Sequence, residues 1–179
     1  QLQDHYGALL QLWPRLRAPV YATKFTAGLL RAKAIENGIL ERPDVVVVGQ
    51  GETLDLDPFS VELIPVSHSI PEPNALAITT AHGLVMHSGD WKIDATPGVG
   101  AAIDSATRAG HSPSEHDVAA ALKEMVASAP NRVAVTAFSS NVARIRAVCE
   151  AAAAAARHMG VMGRAMRRVI DVASECGFM

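Results

Sequence analysis

A chain of 179 residues is long enough for one good core or for parts of two. With 49% hydrophobic, 19% charged and 4% aromatic residues, its composition is that of an ordinary globular protein favouring close-packed helices, and a net charge of −2 gives no bulk support for nucleic-acid binding. Two cysteines, Cys149 and Cys176, exclude a disulfide framework and a cysteine-type zinc site, the opening residues lack a signal-peptide pattern, and no apolar run approaches membrane-spanning length, so a reducing cytoplasm is the expected location.

Residues 7–16 read as a short amphipathic helix stopped between Pro14 and Pro19. Pro19-Val20-Tyr21-Ala22 reads as a brief strand, and Thr23 or Thr26 is placed to cap the helix that follows, which Asn37-Gly38 stops. Val45-Val46-Val47-Val48 is a β-branched strand ended by Gly49 and Gly51. Residues 59–66 alternate apolar and polar side chains as a half-buried strand does, and residues 75–80 and 84–87 flank Ala81-His82-Gly83 as a β-hairpin. After Asp94 the character changes. Pro97, Gly98 and Gly100 make a loop, and Ser112-Pro113-Ser114-Glu115 opens a helix with Ser112 as cap and Glu115 closing a capping box. From there helix (115–128), strand (133–136), helix (142–156), a short strand (159–162) and a last helix to Cys176 alternate, the mark of a parallel sheet between helices. The expected boundary lies near residue 95.

Two of these strands run out into loops with metal-capable side chains: Val66-Ser67-His68-Ser69-Ile70-Pro71, and His87-Ser88-Gly89-Asp90-Trp91-Lys92-Ile93-Asp94. An imidazole nitrogen of His68 and a carboxylate oxygen of Asp90 can converge on one cation from neighbouring strand ends. Gly89 and Trp91 bracket Asp90 in a tight turn that aims the carboxylate. Asp4-His5-Tyr6-Gly7 adds one more carboxylate and imidazole ahead of a helix; adjacent residues cannot share a helix face, so both reach one metal only from a loop or helix entrance. Three ligand-bearing loops on a strand-rich scaffold point to a metal site built for hydrolysis. His82 reads as solvated and His87 as structural or supporting, while His111, His116 and His158 lack partners at ligand spacing.

In the second half, Ser139, Ser140 and Asn141 sit where a strand passes into a helix. They suit a phosphate cradle and a plain N-cap equally well. Arg164, Arg167 and Arg168 open the last helix, where basic residues oppose the macrodipole, a cost offset if they hold an anion; a solvated face is the commoner explanation.

Taken together, and in this order along the chain, Asp4-His5-Tyr6-Gly7-Ala8-Leu9, Pro19-Val20-Tyr21-Ala22-Thr23, the His68 and Asp90 stretches, Ser112-Pro113-Ser114-Glu115, Phe138-Ser139-Ser140-Asn141 and Gly163-Arg164-Ala165-Met166 resemble the bacterial ribonuclease J family of the metallo-β-lactamase superfamily, which carries a β-CASP insert. The resemblance implies an α/β chain: part of a metallo-β-lactamase αββα sandwich over residues 1–95, then part of a β-CASP α/β domain with a parallel sheet over residues 96–179. It implies two zinc ions, with Asp4 and His5 on the second, His68 on the first and Asp90 bridging them, so that Asp4, His5 and Asp90 are catalytic. The reaction it implies is hydrolysis of RNA phosphodiester bonds, exonucleolytic from a 5′-monophosphate end and also endonucleolytic, by water acidified by the metals. Ser139, Ser140, Asn141 and Arg164 would line the RNA-facing wall, in a homo-oligomer, dimer or tetramer, with no membrane partner.

The sequence departs from the family pattern in ways that lead us to expect a partial chain. The family's first motif is His-x-His-x-Asp-His, of which only Asp4 and His5 are present; Leu2 stands where one histidine belongs. The segment between Pro97 and Ser112 is short, with Asp104-Ser105 as the remnant of an Asp-Ser-Thr motif, and the chain ends inside the β-CASP part. Four ligands are too few for two fully held metals, so this chain alone is expected to be inactive. Two other readings compete: a metal-free relative that binds RNA or scaffolds a partner, and a hydrolase of thioesters or lactams. The β-CASP-like half argues against the last.

Overall fold

The computed structural model describes residues 6–92 and 113–179. It is mixed α/β, as the residue pattern predicts. In chain order it runs α1 (Leu9–Leu16), β1 (Val20–Ala22), α2 (Lys24–Glu36), β2 (Val45–Val47), β3 (Thr53–Leu56), β4 (Phe59–Pro65), β5 (Asn74–Thr80), β6 (Gly83–His87), α3 (Glu115–Ser128), α4 (Val142–Ala154) and α5 (Arg164–Cys176). β1 and β2 pair in parallel across α2, Val20 opposite Val45, while β3 to β6 form an antiparallel sheet in sequence order. β3–β4 and β5–β6 join through two-residue turns and β4–β5 through residues 66–73, so the pairing is local. Strand β3 is an element the residue pattern did not announce; Leu54 and Leu56 alternate with exposed Thr53 and Asp55 over only four residues.

Two capping expectations are corrected. Thr23 holds the cap position of α2 but its side chain makes no cap bond. The Glu72 carboxylate, arriving from the loop after His68, accepts from Phe25 N–H at 2.8 Å instead. A full negative charge is worth more than a hydroxyl at a positive helix end, and it ties that loop to α2. At α3 the cap is Ser114, whose capping box closes with Asp117. Ser112 lies outside the described residues, and Ser114-x-x-Asp117 fits the same rule two positions along.

The expected strands at 133–136 and 159–162 are also corrected: among the described residues neither stretch pairs with any other. A parallel strand needs a partner brought from far along the chain, and a β-branched run cannot supply one for itself.

The cores are helical. Phe25 and Leu29 of α2 pack with Val142 and Ile145 of α4 and with Val169, Val172 and Ala173 of α5. Phe25 also meets Phe178 edge to face, ring centres 5.9 Å apart. A Cβ on Gly28 would stand 2.7 Å from Val172 Cγ1, so glycine is what lets α2 and α5 approach. Helices from both sides of residue 95 therefore share one core. A second cluster joins Leu122 and Val126 of α3 to Ala147 and Ala151 of α4, where small alanines allow close packing. A third holds Leu10, Leu30 and Ala34 against Val20 and Val45. Each fully buried Leu or Phe contributes about 1.5–3 kcal/mol.

Candidate functional site

The sheet explains why His68 and Asp90 meet. β4 and β6 both run antiparallel to β5, hence parallel to each other, with their C-terminal ends opposite the start of β5: Pro65 faces Asn74 and His87 faces Leu76. Two strand spacings separate those ends, about 10 Å. The loops close that gap. Lys92 N–H donates to Ser67 C=O at 2.7 Å, and Val66 N–H to Pro73 C=O at 3.1 Å. His68 Nε2 comes to 4.0 Å from Asp90 Oδ2, the imidazole buried and the carboxylate about half exposed. Gly89 makes the turn at φ +60°, and a Cβ there would sit 3.3 Å from Asn74 C=O. The turn that aims Asp90 thus needs both the left-handed backbone and the missing side chain.

Tetrahedral zinc with donors at 2.0–2.2 Å holds them about 3.3–3.6 Å apart. The His68–Asp90 pair, at 4.0 Å, is about half an ångström wider than that, and its imidazole–carboxylate chemistry suits zinc. Among the described residues no group of three or more His, Cys, Asp or Glu side chains gathers at a metal-holding distance. Asp4 and His5 lie outside the described residues.

Residue-pattern reasoning missed the network next to this pair. Lys92, two residues after Asp90, places Nζ 2.9 Å from Glu115 Oε1. Arg144 donates from Nε to Glu115 Oε2 at 3.0 Å and from Nη2 to Oε1 at 3.3 Å. Asn141 Nδ2 donates to the same Oε1 at 3.2 Å while its Oδ1 caps α4 by accepting from Arg144 N–H at 3.0 Å. Glu115 is 8% exposed. Burial alone would raise its pKa; the hydrogen bonds from Arg144, Lys92 and Asn141 outweigh it and hold the carboxyl below its ordinary value. The Asp90 loop is thereby locked to the starts of α3 and α4. Glu115 was read only as a helix-opening residue, and no spacing could have shown that Lys92 and Arg144 converge on it.

The second-half candidates separate. Ser140 and Asn141 are buried and Ser139 half-buried at the head of α4. Asn141 is both the N-cap of α4 and a Glu115 partner. Arg164 is 92% exposed, its Nη1 3.7 Å from Glu36 Oε1, and Arg168 pairs with Glu36 as well. Arg164 and Arg168 of α5 thus reach Glu36 at the end of α2. His82, His87, His116 and His158 are all exposed. Among the described residues no helix is long and apolar enough to cross a membrane.

Comparison with known proteins bears on the family. Residues 130–179 match the family model "Ribonuclease J, beta-CASP domain". The chain is 47% identical over 198 aligned positions to the ribonuclease J of Sinorhizobium meliloti, covering 99% of this chain and 35% of that protein. It is 37% identical over 200 positions to the ribonuclease J of Corynebacterium glutamicum, covering 99% of this chain and 27% of the relative. It is 33% identical over 211 positions to that of Thermus thermophilus, covering 99% and 36%. The chain thus spans about a third of the length of the curated relatives it matches. A crystal structure of a protein of unknown function from Enterococcus faecalis superposes with a TM-score of 0.55 at 20% identity, over 74% of this chain and 39% of that one, a likeness of fold alone. With the motifs in order along the whole chain and these relatives matching nearly all of it, the chain belongs to the ribonuclease J family.

Proposed function

We propose that the full-length protein is a zinc-dependent ribonuclease that hydrolyses RNA phosphodiester bonds, working 5′-to-3′ from a monophosphorylated end and internally as well, in RNA processing and decay. The observation that carries this is the convergence of His68 and Asp90 from parallel strand ends to 4.0 Å. Asp4, His5, His68 and Asp90 are the residues that would hold metal. Zinc there would supply Lewis acidity toward the phosphodiester and toward the attacking water.

The chain's own residues do the rest. His68, buried like its neighbours Val66 and Ser67, offers its imidazole toward Asp90. Asp90, half exposed on the glycine turn, would offer its carboxylate beside that imidazole. Lys92 and Glu115 keep that turn in register with α3 and α4. Exposed Arg164 draws the RNA backbone toward the second half, together with Ser139 at the head of α4. Four donors are too few to hold two ions fully, so the activity belongs to the full-length protein rather than to residues 1–179 alone. We read that protein as a cytoplasmic homo-oligomer, dimer or tetramer.

A 5′-monophosphorylated RNA, run beside its 5′-triphosphorylated form, tests the reading in the full-length protein. Release of mononucleotides from the first, about two zinc ions per chain, and loss of both metal and cleavage in His68→Ala and Asp90→Ala with unchanged circular dichroism are the expected results. A protein that binds RNA with no zinc and no cleavage would instead be a scaffold. That second reading draws on Leu2, which stands where the family's first motif has a histidine.

A further inference from the structure

The loop that carries His68 leaves β4 at Val66 and enters β5 after Pro73. Val66 N–H closes its base on Pro73 C=O at 3.1 Å, Gln50 Nε2 donates to the same carbonyl at 2.9 Å, and Asn74 Nδ2 donates to Glu72 C=O at 2.8 Å. These bonds tie the loop to the sheet and to the residues leading into it. Another leaves the sheet. The Glu72 carboxylate accepts from Phe25 N–H, at the start of α2, at 2.8 Å. Phe25 is itself fully buried in the core that α2 shares with α4 and α5, so the far end of that bond is anchored.

Glu72 makes the bond from an unfavourable backbone. Its φ is +52°, a left-handed conformation that glycine accepts freely and other side chains disfavour. Pro71 and Pro73 flank it, and a residue before proline prefers extended backbone. Strain of this kind persists where the surroundings over-determine it, and it gathers at functional sites. Glycine would suit the backbone at this position; only the carboxylate gives a reason for a side chain. Helix α2 supplies that reason, since its first turn holds no acidic residue and Thr23 makes no side-chain cap bond.

We infer that Glu72 is a positioning residue for the metal pair: it straps the loop carrying His68 to the N-terminus of α2 and so sets how the imidazole stands toward Asp90. This rests on the reading of His68 and Asp90 as zinc ligands. Glu72 follows His68 by four residues, and Pro71, with its fixed φ, stiffens the path between them. The two donors stand 4.0 Å apart, so only a small adjustment separates them from zinc geometry. Ordering a free loop around the ion would subtract from zinc affinity, whereas the strap orders it during folding. Residues that orient a metal ligand in this way act on affinity without touching the metal.

The test is zinc affinity in the full-length protein carrying Glu72→Gly, which removes the strap and relieves the left-handed backbone together. Losing the cap and losing the strain act on stability in opposite directions. The melting temperature should therefore shift by no more than about 4 °C, while the zinc Kd weakens at least about tenfold. Adding Thr23→Asp separates the two tasks of the carboxylate, because it gives α2 an acidic cap of its own but no hold on the loop. The strap predicts that Thr23→Asp raises the melting temperature and leaves the zinc Kd weak. A Kd in Glu72→Gly within about twofold of the parent overturns the inference. Full recovery of affinity by Thr23→Asp overturns it too, since Glu72 would then be a helix cap and nothing more. Should Glu72→Gly fail to fold, hydrogen exchange of the 66–73 backbone in Glu72→Gln, which keeps an acceptor but loses the charge, takes its place. Protection falling at least about threefold supports the strap, and unchanged protection overturns it. A parent that binds no zinc overturns the metal reading of His68 itself, whereas a zinc-binding parent whose Kd ignores Glu72 overturns the strap alone.

Discussion

The antiparallel sheet and the 130–162 stretch are written in similar residues but have opposite fates. β4 alternates apolar and polar side chains, β5 alternates buried and half-buried positions, and the two find each other across the loop that carries His68. Val133-Ala134-Val135-Thr136 has equal or stronger β propensity and pairs with nothing among the described residues. The difference lies in where the partner comes from. A hairpin closes a short loop at small entropic cost, whereas a parallel strand waits for a segment from far along the chain. The region that pairs locally is also the one that can aim a histidine and an aspartate at each other.

That contrast can be broken by substitution, and the largest effect belongs to the paired region. Leu63 of β4 is 6% exposed. Leu63→Ala should cost about 2–4 kcal/mol in urea unfolding, from lost burial and the cavity left behind. A loss below about 1 kcal/mol would mean the sheet is not a rigid platform.

Next comes the link between the regions. Glu115→Gln should cost about 1–3 kcal/mol, reduced from a fully buried pair because Lys92 and Arg144 are each 30% exposed. The sign of its pH dependence follows from the shift. The folded carboxyl sits below its ordinary value, so its contribution is present above the unfolded-state value and is lost as pH falls through the folded one. The parent should therefore lose stability in acid faster than Glu115→Gln. Parallel curves from pH 6 to pH 2 would remove Glu115 from that role.

Gly89→Ala ranks third, at about 1–2 kcal/mol, from the left-handed backbone and the close Asn74 carbonyl. Its sharper consequence is a displaced Asp90, read as weaker zinc binding in the full-length protein. Smallest is Val135→Thr on the 133–136 stretch, within about 0.5 kcal/mol in this chain, because the side chain already faces water. A cost near that of Leu63→Ala would show the stretch to be buried after all.

Much of this was legible in the residues. Period-2 alternation gave β4, the turn at Ala81-His82-Gly83 gave the β5–β6 hairpin, and the Asn-Gly stop gave the end of α2. His68 and Asp90 stood out because each follows a strand and precedes a turn. Glu72 capping α2 did not, since its helix lies 47 residues away. Nor did the Lys92–Glu115–Arg144 network, whose members lie 23 and 29 residues apart. Asn141 was read as cradle or cap, and its bond to the α4 backbone shows it capping.

By itself the sequence determined the elements with local causes: helices from apolar spacing and stop signals, hairpins from turns, and the family from ordered motifs. Only the tertiary structure decided which carboxylate caps which helix, which cations neutralise Glu115, and that 133–136 finds no strand partner among the described residues. Periodicity is a property of a few neighbouring residues. Hydrogen bonds and ion pairs between distant segments depend on the whole packing, which no window of sequence contains.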